Sequence, residues 1–250
     1  MTKLVSAVIT TSNRFALLQK AVKSVQNQSY TNIELIVIDG SVNQDAENLY
    51  ANKENIIYVK SVDSHPNVLR NLGIDCASGE LIAFLDDDDE WLQDKIKKQV
   101  ECFNKNNIDL CYTGKNIVSQ NREKIKYSYK EPFFSSQVKS IMGDNFIGTT
   151  SSVMISKKAL LAVNGFDIKL PALQDYDLYI RLCLDYKVIG IDEPLINYHY
   201  NHSIAQVSYS LENFRIASII IKNKFSNFKY SYLLKIGLLI IKIKRKIKSI

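Results

Sequence analysis

Five consecutive acids, Asp86-Asp87-Asp88-Asp89-Glu90, follow directly on the apolar run Leu81-Ile82-Ala83-Phe84-Leu85 and precede Trp91. Neighbouring carboxylates repel one another, so such a cluster costs stability unless a cation sits among them. Hard cations such as Mg²⁺ or Mn²⁺ want oxygen ligands, usually one or two carboxylates with substrate phosphates completing the shell. A buried strand that runs into acids at its carboxyl end is where open α/β sheets place ligands. A solvated acidic turn is the alternative, and the sharpness of the junction argues against it.

Other elements must hold those acids in place. Residues 5–9, 33–38, 56–59, 81–85 and 108–112 read as apolar strands. Phe15, Leu18, Val22 and Val25 recur at helical spacing after Thr10-Thr11-Ser12-Asn13-Arg14, a loop expected to supply the N-cap. A helix is predicted from Pro66 to Ala77, with Gly79 closing the turn. Leu92, Ile96, Val100 and Phe103 mark another. Strands alternating with helices predict an α/β fold with a mainly parallel sheet flanked by helices. The loops at 10–14, 39–41 and 86–89 would then meet at one sheet edge and form a nucleotide-sized crevice. After about residue 114 the segments shorten: a strand at 151–155, a helix at 156–163 capped by Ser156, a turn at 164–167, a helix at 174–185, and strands at 188–191 and 195–200.

With 46% hydrophobic and 23% charged residues in 250, the composition is that of a globular chain. The cysteines at 76, 102, 111 and 183 form no C-x-x-C pair, so no zinc site is expected. Residues 1–9 carry only a strand-length apolar run, which predicts no signal peptide, a reducing cytoplasm and free thiols. Residues 222–250 hold nine Lys and Arg and no acid, which leaves the rest of this +6 chain at −3. The positive charge is therefore a tail and not a nucleic-acid-binding face. Ile236, Ile240, Ile243, Ile247 and Ile250 are three or four apart among lysines. Residues 236–241 are the longest uncharged run near the end, far short of the roughly 20 needed to span a bilayer. An amphipathic basic helix lying on an anionic membrane is expected, and a core-packed terminal helix with a solvated basic face is the alternative.

Taken in order, Ile9-Thr10-Thr11-Ser12-Asn13-Arg14, Gln28-Ser29-Tyr30, Ile33 to Ser41, Arg70-Asn71-Leu72-Gly73-Ile74, Ala77 to Trp91, Gly165-Phe166-Asp167 and Gln174-Asp175-Tyr176-Asp177-Leu178 resemble the family two inverting glycosyltransferases with the GT-A fold. The resemblance covers residues 4 to about 205 and is nearest to bacterial enzymes that build capsular or other surface polysaccharides. It implies a nucleotide-sugar-binding half at 1–114, an acceptor-binding half at 115–205 and a basic helical tail at 206–250. Its D-x-D motif falls on Asp86, Asp87 and Asp88, with Asp86 toward donor ribose and metal and Asp88 the principal ligand of Mn²⁺ or Mg²⁺. Thr10, Thr11, Asn13 and Arg14 fall where the family wraps the nucleotide, Asp39 at the base- and ribose-binding acid, and Arg70 in the donor pocket. Asp175 matches the general base, with Gln174 and Asp177 beside it on the acceptor side. His199 or His202 falls where some members complete the metal or diphosphate site.

Two positions depart from the pattern. Asp39-Gly40 replaces a pair of acids, and Gln174-Asp175 replaces Glu-Asp while keeping the base. The implied reaction moves a sugar, as from a UDP-hexose, to a hydroxyl of a polyprenyl-diphosphate-linked saccharide at the cytoplasmic face of the membrane. A glycosidase would instead need two carboxylates flanking the bond. A haloacid-type phosphatase wants Thr or Val where Glu90 stands, and a nucleotidyltransferase wants glycines that Thr10–Arg14 lacks. A non-catalytic membrane-associated scaffold of the same fold is the remaining alternative.

Overall fold

A computed structural model describes residues 2–119, 123–199 and 210–248. Four parallel strands form its first half: β1 (Val5–Thr11), β2 (Ile33–Asp39), β3 (Ile56–Lys60) and β4 (Leu81–Asp86), in the order β3-β2-β1-β4. All seven residues of β1 are buried, as an interior strand covered on both faces requires. Alternation sends Val8, Ile36, Ile38, Ile82 and Phe84 to one core and Ala7, Ile9, Val37, Ala83 and Leu85 to the other. The register sets Thr11 beside Asp39 and Thr10 beside Asp86, so the three polar loops do share one edge.

Beyond β4 the sheet is mixed. β5 (Glu90–Trp91), β6 (Leu110–Val118), β7 (Lys124–Ser128), β8 (Val153–Ser156) and β9 (Val188–His199) complete the order β3-β2-β1-β4-β8-β6-β9-β5, with β7 paired to β6. β8 runs antiparallel to both β4 and β6, and β9 runs parallel to β6. The parallel expectation therefore describes the first half, and antiparallel insertions build the second.

The helices α1 (Phe15–Gln26), α2 (Asp45–Tyr50) and α4 (Lys95–Lys105) cover one face. The other face carries α3 (Pro66–Cys76), α5 (Gln137–Gly143), α6 (Lys157–Ala162), α7 (Gln174–Asp185), α8 (Leu211–Lys224) and α9 (Ser231–Lys248). Ser156 caps α6 as expected, its Oγ accepting from Ala159 N–H at 3.2 Å. Gly79 acts by close approach, since a Cβ there would lie 2.6 Å from Ser6 Oγ.

Several sequence expectations are corrected. The Thr10–Arg14 loop provides no side-chain cap to α1; Arg14 occupies the cap position and sends its guanidinium elsewhere. The α4 helix begins at Lys95 and not Leu92, because Glu90–Trp91 pair with β9 and the Trp91 indole N–H donates to Ser151 O at 3.0 Å. The two strands expected at 188–191 and 195–200 are one, β9, whose register shifts opposite Gly114 at Pro194. The short elements α2, β5, β7 and α5 are additions to the expected set.

The last two helices are docked. Phe214, Ala217, Ile221, Phe225, Leu234 and Leu238 are buried in the larger core. Gly237 meets Gly143 so closely that a Cβ would lie 2.3 Å from the Gly143 carbonyl oxygen. Among the described residues no helix is long and apolar enough to cross a membrane.

Candidate active site

The carboxyl ends of β1 and β4 open into a cleft of about 510 Å³. Thr10, Thr11, Arg14, Arg70 and the acids Asp86, Asp87 and Asp88 line one side; Lys115, Asn145, Gln174, Asp175 and Tyr198 line the other. The sequence placed the first group together and found Gln174 and Asp175, but missed Lys115, Asn145 and Tyr198. A lysine just beyond the apolar Leu110–Tyr112 run was the one available signal for Lys115.

Each acid has its own support. Arg70 donates to Asp86 Oδ1 at 2.6 Å, and Asp86 N–H donates to Ser151 Oγ at 3.1 Å. Thr11 Oγ1 donates to Asp87 Oδ2 at 2.7 Å, and Arg14 bridges Asp87 Oδ1 (3.0 Å) and Asp88 Oδ2 (3.2 Å). Burial pushes Asp87 up to about 6, against the pull of Arg14 and Thr11. Burial and then repulsion by Asp86 raise Asp88, again opposed by Arg14. Asp89 is fully buried, raised by burial and by Asp88, and accepts from His199 N–H at 3.3 Å. Two arginines thus hold together a cluster that would otherwise disperse.

The motifs that bracket Arg70 and Phe166 lock onto each other. Asn71 Nδ2 donates to Phe166 O and Phe166 N–H donates to Asn71 Oδ1, both at 2.8 Å, and the Arg70 guanidinium lies 5.4 Å from the Phe166 ring centre. Gly165 turns there with φ +58°, a conformation that glycine adopts at little cost. Across the cleft, Asp175 accepts from Tyr176 N–H at 2.8 Å and from Asn145 Nδ2 at 3.5 Å. Burial raises its pKa, opposed by Tyr176 N–H and Arg70. Lys115 Nζ lies 4.3 Å from the Tyr198 ring centre; burial disfavours its charge, and Asp89 and Asp175 favour it.

Four expected site residues sit apart from the cleft lining. Asp39 is fully buried, and its carboxylate accepts from Ser41 N–H (2.7 Å), Tyr58 OH (2.6 Å) and Lys60 Nζ (3.1 Å). Burial pushes it up, yet these hydrogen bonds prevail and hold it below the usual range. Asn13, with φ +56°, staples two loops: its N–H donates to Ser41 Oγ at 2.7 Å and its Oδ1 accepts from Val42 N–H at 3.0 Å. Asp177 is fully buried and accepts from Arg181 (2.9 and 2.7 Å) and Lys224 (2.8 Å), so it ties α7 to α8. His199 places Nε2 3.5 Å from Glu90 Oε1, and among the described residues that nitrogen has no hydrogen-bond partner. His202 lies outside the described residues.

Residues 6–163 match the family described as Glycosyl transferase family 2. The chain belongs to that family. A fold comparison agrees: Staphylococcus aureus TarS in complex with UDP-GlcNAc superposes with a TM-score of 0.71 at 16% identity, over 94% of this chain and 70% of that one. The architecture is therefore GT-A-like. The amylovoran biosynthesis glycosyltransferase AmsB of Erwinia amylovora is 27% identical over 228 residues, 82% of this chain and 75% of that protein. The GalNAc(5)-diNAcBac-PP-undecaprenol beta-1,3-glucosyltransferase of Campylobacter jejuni is 42% identical over 93 residues, 35% of this chain and 30% of that protein. Even where 92% of the chain aligns, it spans only 40% of the length of an uncharacterized glycosyltransferase of Rickettsia conorii.

In this member of the family Asp86, Asp88 and His199 do not converge as a ready-made three-ligand metal site, and no such group exists among the described residues. The acids nonetheless fit a hard cation. Asp86 and Asp88 line the cleft as oxygen donors, Asp88 is raised by burial and by the Asp86 repulsion that a cation would relieve, and the buried His199 Nε2 has no hydrogen-bond partner among the described residues. Mg²⁺ and Mn²⁺ sites of this type draw much of their shell from substrate phosphates.

Proposed function

We propose that this chain transfers a sugar, with inversion, from a nucleoside-diphosphate sugar such as a UDP-hexose to a hydroxyl of a growing, lipid-linked surface polysaccharide. The observation that carries the reading is Asp175, a carboxylate raised by burial, lining the same cleft as the Asp86–Asp88 cluster. Residues 1–114 hold the donor: Thr10, Thr11 and Arg14 contact the nucleotide, and Arg70 fixes Asp86 toward it. Asp86 and Asp88 would hold Mn²⁺ or Mg²⁺, which offsets the charge that builds on the leaving diphosphate. On the acceptor side, within 115–205, Gln174 and Asn145 orient the incoming hydroxyl and Asp175 takes its proton as it attacks the anomeric carbon. Backside attack in a single displacement turns an α-linked donor into a β-linkage.

The named activities of AmsB and of the Campylobacter enzyme support a surface-glycan product and a polyprenyl-diphosphate acceptor. The UDP-GlcNAc complex of TarS supports a nucleotide-sugar donor. The basic segment 206–250 supports peripheral attachment to an anionic membrane at its cytoplasmic face, where such acceptors lie. A panel of UDP- and dTDP-sugars, assayed for Mn²⁺-dependent nucleotide release by the wild type and by Asp175→Asn, tests the reading. Equal release by both, with acceptor present, refutes the role of Asp175. No release from any donor leaves the scaffold reading in its place.

A further inference from the structure

The α9 helix is apolar on two opposite sides. Leu234, Gly237, Leu238 and Ile241 form the stripe that meets the body: the two leucines are buried in the core, Gly237 abuts Gly143, and Ile241 lines the active-site cleft. Tyr232, Ile236, Leu239, Ile240 and Ile243 recur at the same spacing and are between 44% and 56% exposed. At about 3.6 residues per turn the second stripe projects opposite the first. A surface helix ordinarily gives its outer side to water, and a contiguous ridge of large apolar side chains there marks a contact surface.

Charge selects the occupant. Lys235 and Lys242 are exposed beside the ridge, and residues 222–250 hold nine cations and no acid. A second copy of the chain fits badly, because apposing two ridges sets these like charges against each other. An anionic bilayer satisfies both features: the isoleucines and leucine enter the headgroup–acyl boundary, and the lysines reach lipid phosphates. The helix is too short in apolar residues to cross it.

We infer that the exposed ridge of α9 seats the protein on an anionic bilayer while the buried stripe of the same helix holds the cleft above the lipid. A helix with its side chains is about 10–12 Å across, so the Ile241 wall stands about one helix diameter over the surface. That height suits a sugar carried on a lipid diphosphate a few bonds above the headgroups, an early stage of the growing chain. The seating stands without the proposed reaction; only the acceptor inference rests on it.

The test uses the full chain and a triple variant, Ile236→Asn, Ile240→Asn and Ile243→Asn, all outside the cleft. Both are sedimented with vesicles of equal parts phosphatidylglycerol and phosphatidylcholine, or of phosphatidylcholine alone. The wild type should favour the anionic vesicles by about tenfold or more, and the triple variant, which keeps the cations but loses the apolar anchor, should bind those vesicles about tenfold or more weakly than wild type. Nucleotide release from UDP-GlcNAc without acceptor should stay within about twofold of wild type, since the cleft is untouched. Equal pelleting of both chains overturns the proposal. So does vesicle-free self-association of the wild type that the triple variant abolishes, which would assign the ridge to a second copy. Should the triple variant not fold, the indole introduced by Leu239→Trp should be quenched by brominated lipid while the buried native Trp91 is not. An unquenched introduced indole in a pelleting chain overturns the proposal equally. If neither chain releases nucleotide yet vesicle binding follows the ridge, the glycosyl-transfer reading fails and the seating survives.

Discussion

Asp177 stands two residues from the proposed base, yet its surroundings are those of a structural anchor. Asp177→Asn keeps the side-chain shape and removes the charge, leaving an amide NH₂ to face Arg181 or Lys224. Three charge-assisted hydrogen bonds converge on the carboxylate. Breaking a buried pair costs about 3–5 kcal/mol, mostly because the surviving charge is left uncompensated. Here the cations are relieved in part. The Arg181 and Lys224 side chains are 17% and 30% exposed, Lys224 keeps Asp167 at 2.7 Å, and Arg181 keeps the Val163 carbonyl. The low end, about 3 kcal/mol, is therefore expected. For a chain of this size each kcal/mol moves Tm by roughly 2–4 °C, which gives a fall of about 6–12 °C. Urea unfolding at pH 7 measures the loss, and nucleotide release at low temperature measures activity, which should be close to wild type. Unchanged stability together with a raised acceptor KM would return Asp177 to the acceptor site and refute the assignment.

Asp88→Ala should abolish metal-dependent transfer and weaken nucleoside-diphosphate binding while thermal stability holds; full activity of this variant in chelator would end the metal reading. Asp175→Asn should lower kcat by roughly 10²–10⁴ with donor KM unchanged. Asp175 must be ionised to act, so activity should fall as pH drops through its burial-raised pKa. Lys115→Met removes a charge that favours the carboxylate, so the acid limb of kcat should move to higher pH; an unmoved limb with lower kcat would make Lys115 a substrate contact. Truncation after residue 221 discards the buried Phe225, Leu234 and Leu238 and the Lys224 bridges. At roughly 1.5–3 kcal/mol per buried side chain this rivals the whole stability of a domain, so no cooperative melting transition should remain.

The sequence was most legible where burial and chemistry coincide. Apolar strands that end in polar loops located β1, β2 and β4, and with β1 and β4 the cleft residues at their ends, because a parallel strand buried on both faces is a continuous apolar run. It was least legible where long-range pairing decides structure. Glu90–Trp91 carry no strand signal of their own and pair because β9 lies beside them. Asp177 and Asp175 share one helix turn and one residue type. Arg181, one turn on, and Lys224, distant in sequence, both hold Asp177, and only the first of these pairings can be read from spacing. The isoleucine spacing of the last helix predicts an outward apolar face, and Ile236, Ile240 and Ile243 are indeed exposed. Leu234 and Leu238, which dock the helix, give no separate sign.

The position of β8 bears on how the chain comes to fold at all. Leaving the ribosome, residues 81–86 can pair with β1 at once, but their other edge waits for residues 153–156. In the interval β4 offers a bare, almost wholly apolar edge, the kind that recruits strands from other chains. β6 has the same need, since β8 lies between it and β4. The nascent chain must therefore keep two unsealed edges apart until one four-residue strand zips them together. A fragment ending at residue 114 would hold Thr10, Thr11, Arg14, Arg70 and Asp86–Asp88 of the cleft and still lack the strand that closes β4 off. The proposed nucleotide-side and acceptor-side halves would thus be divisions of chemistry only, while β8 makes folding the business of a single unit.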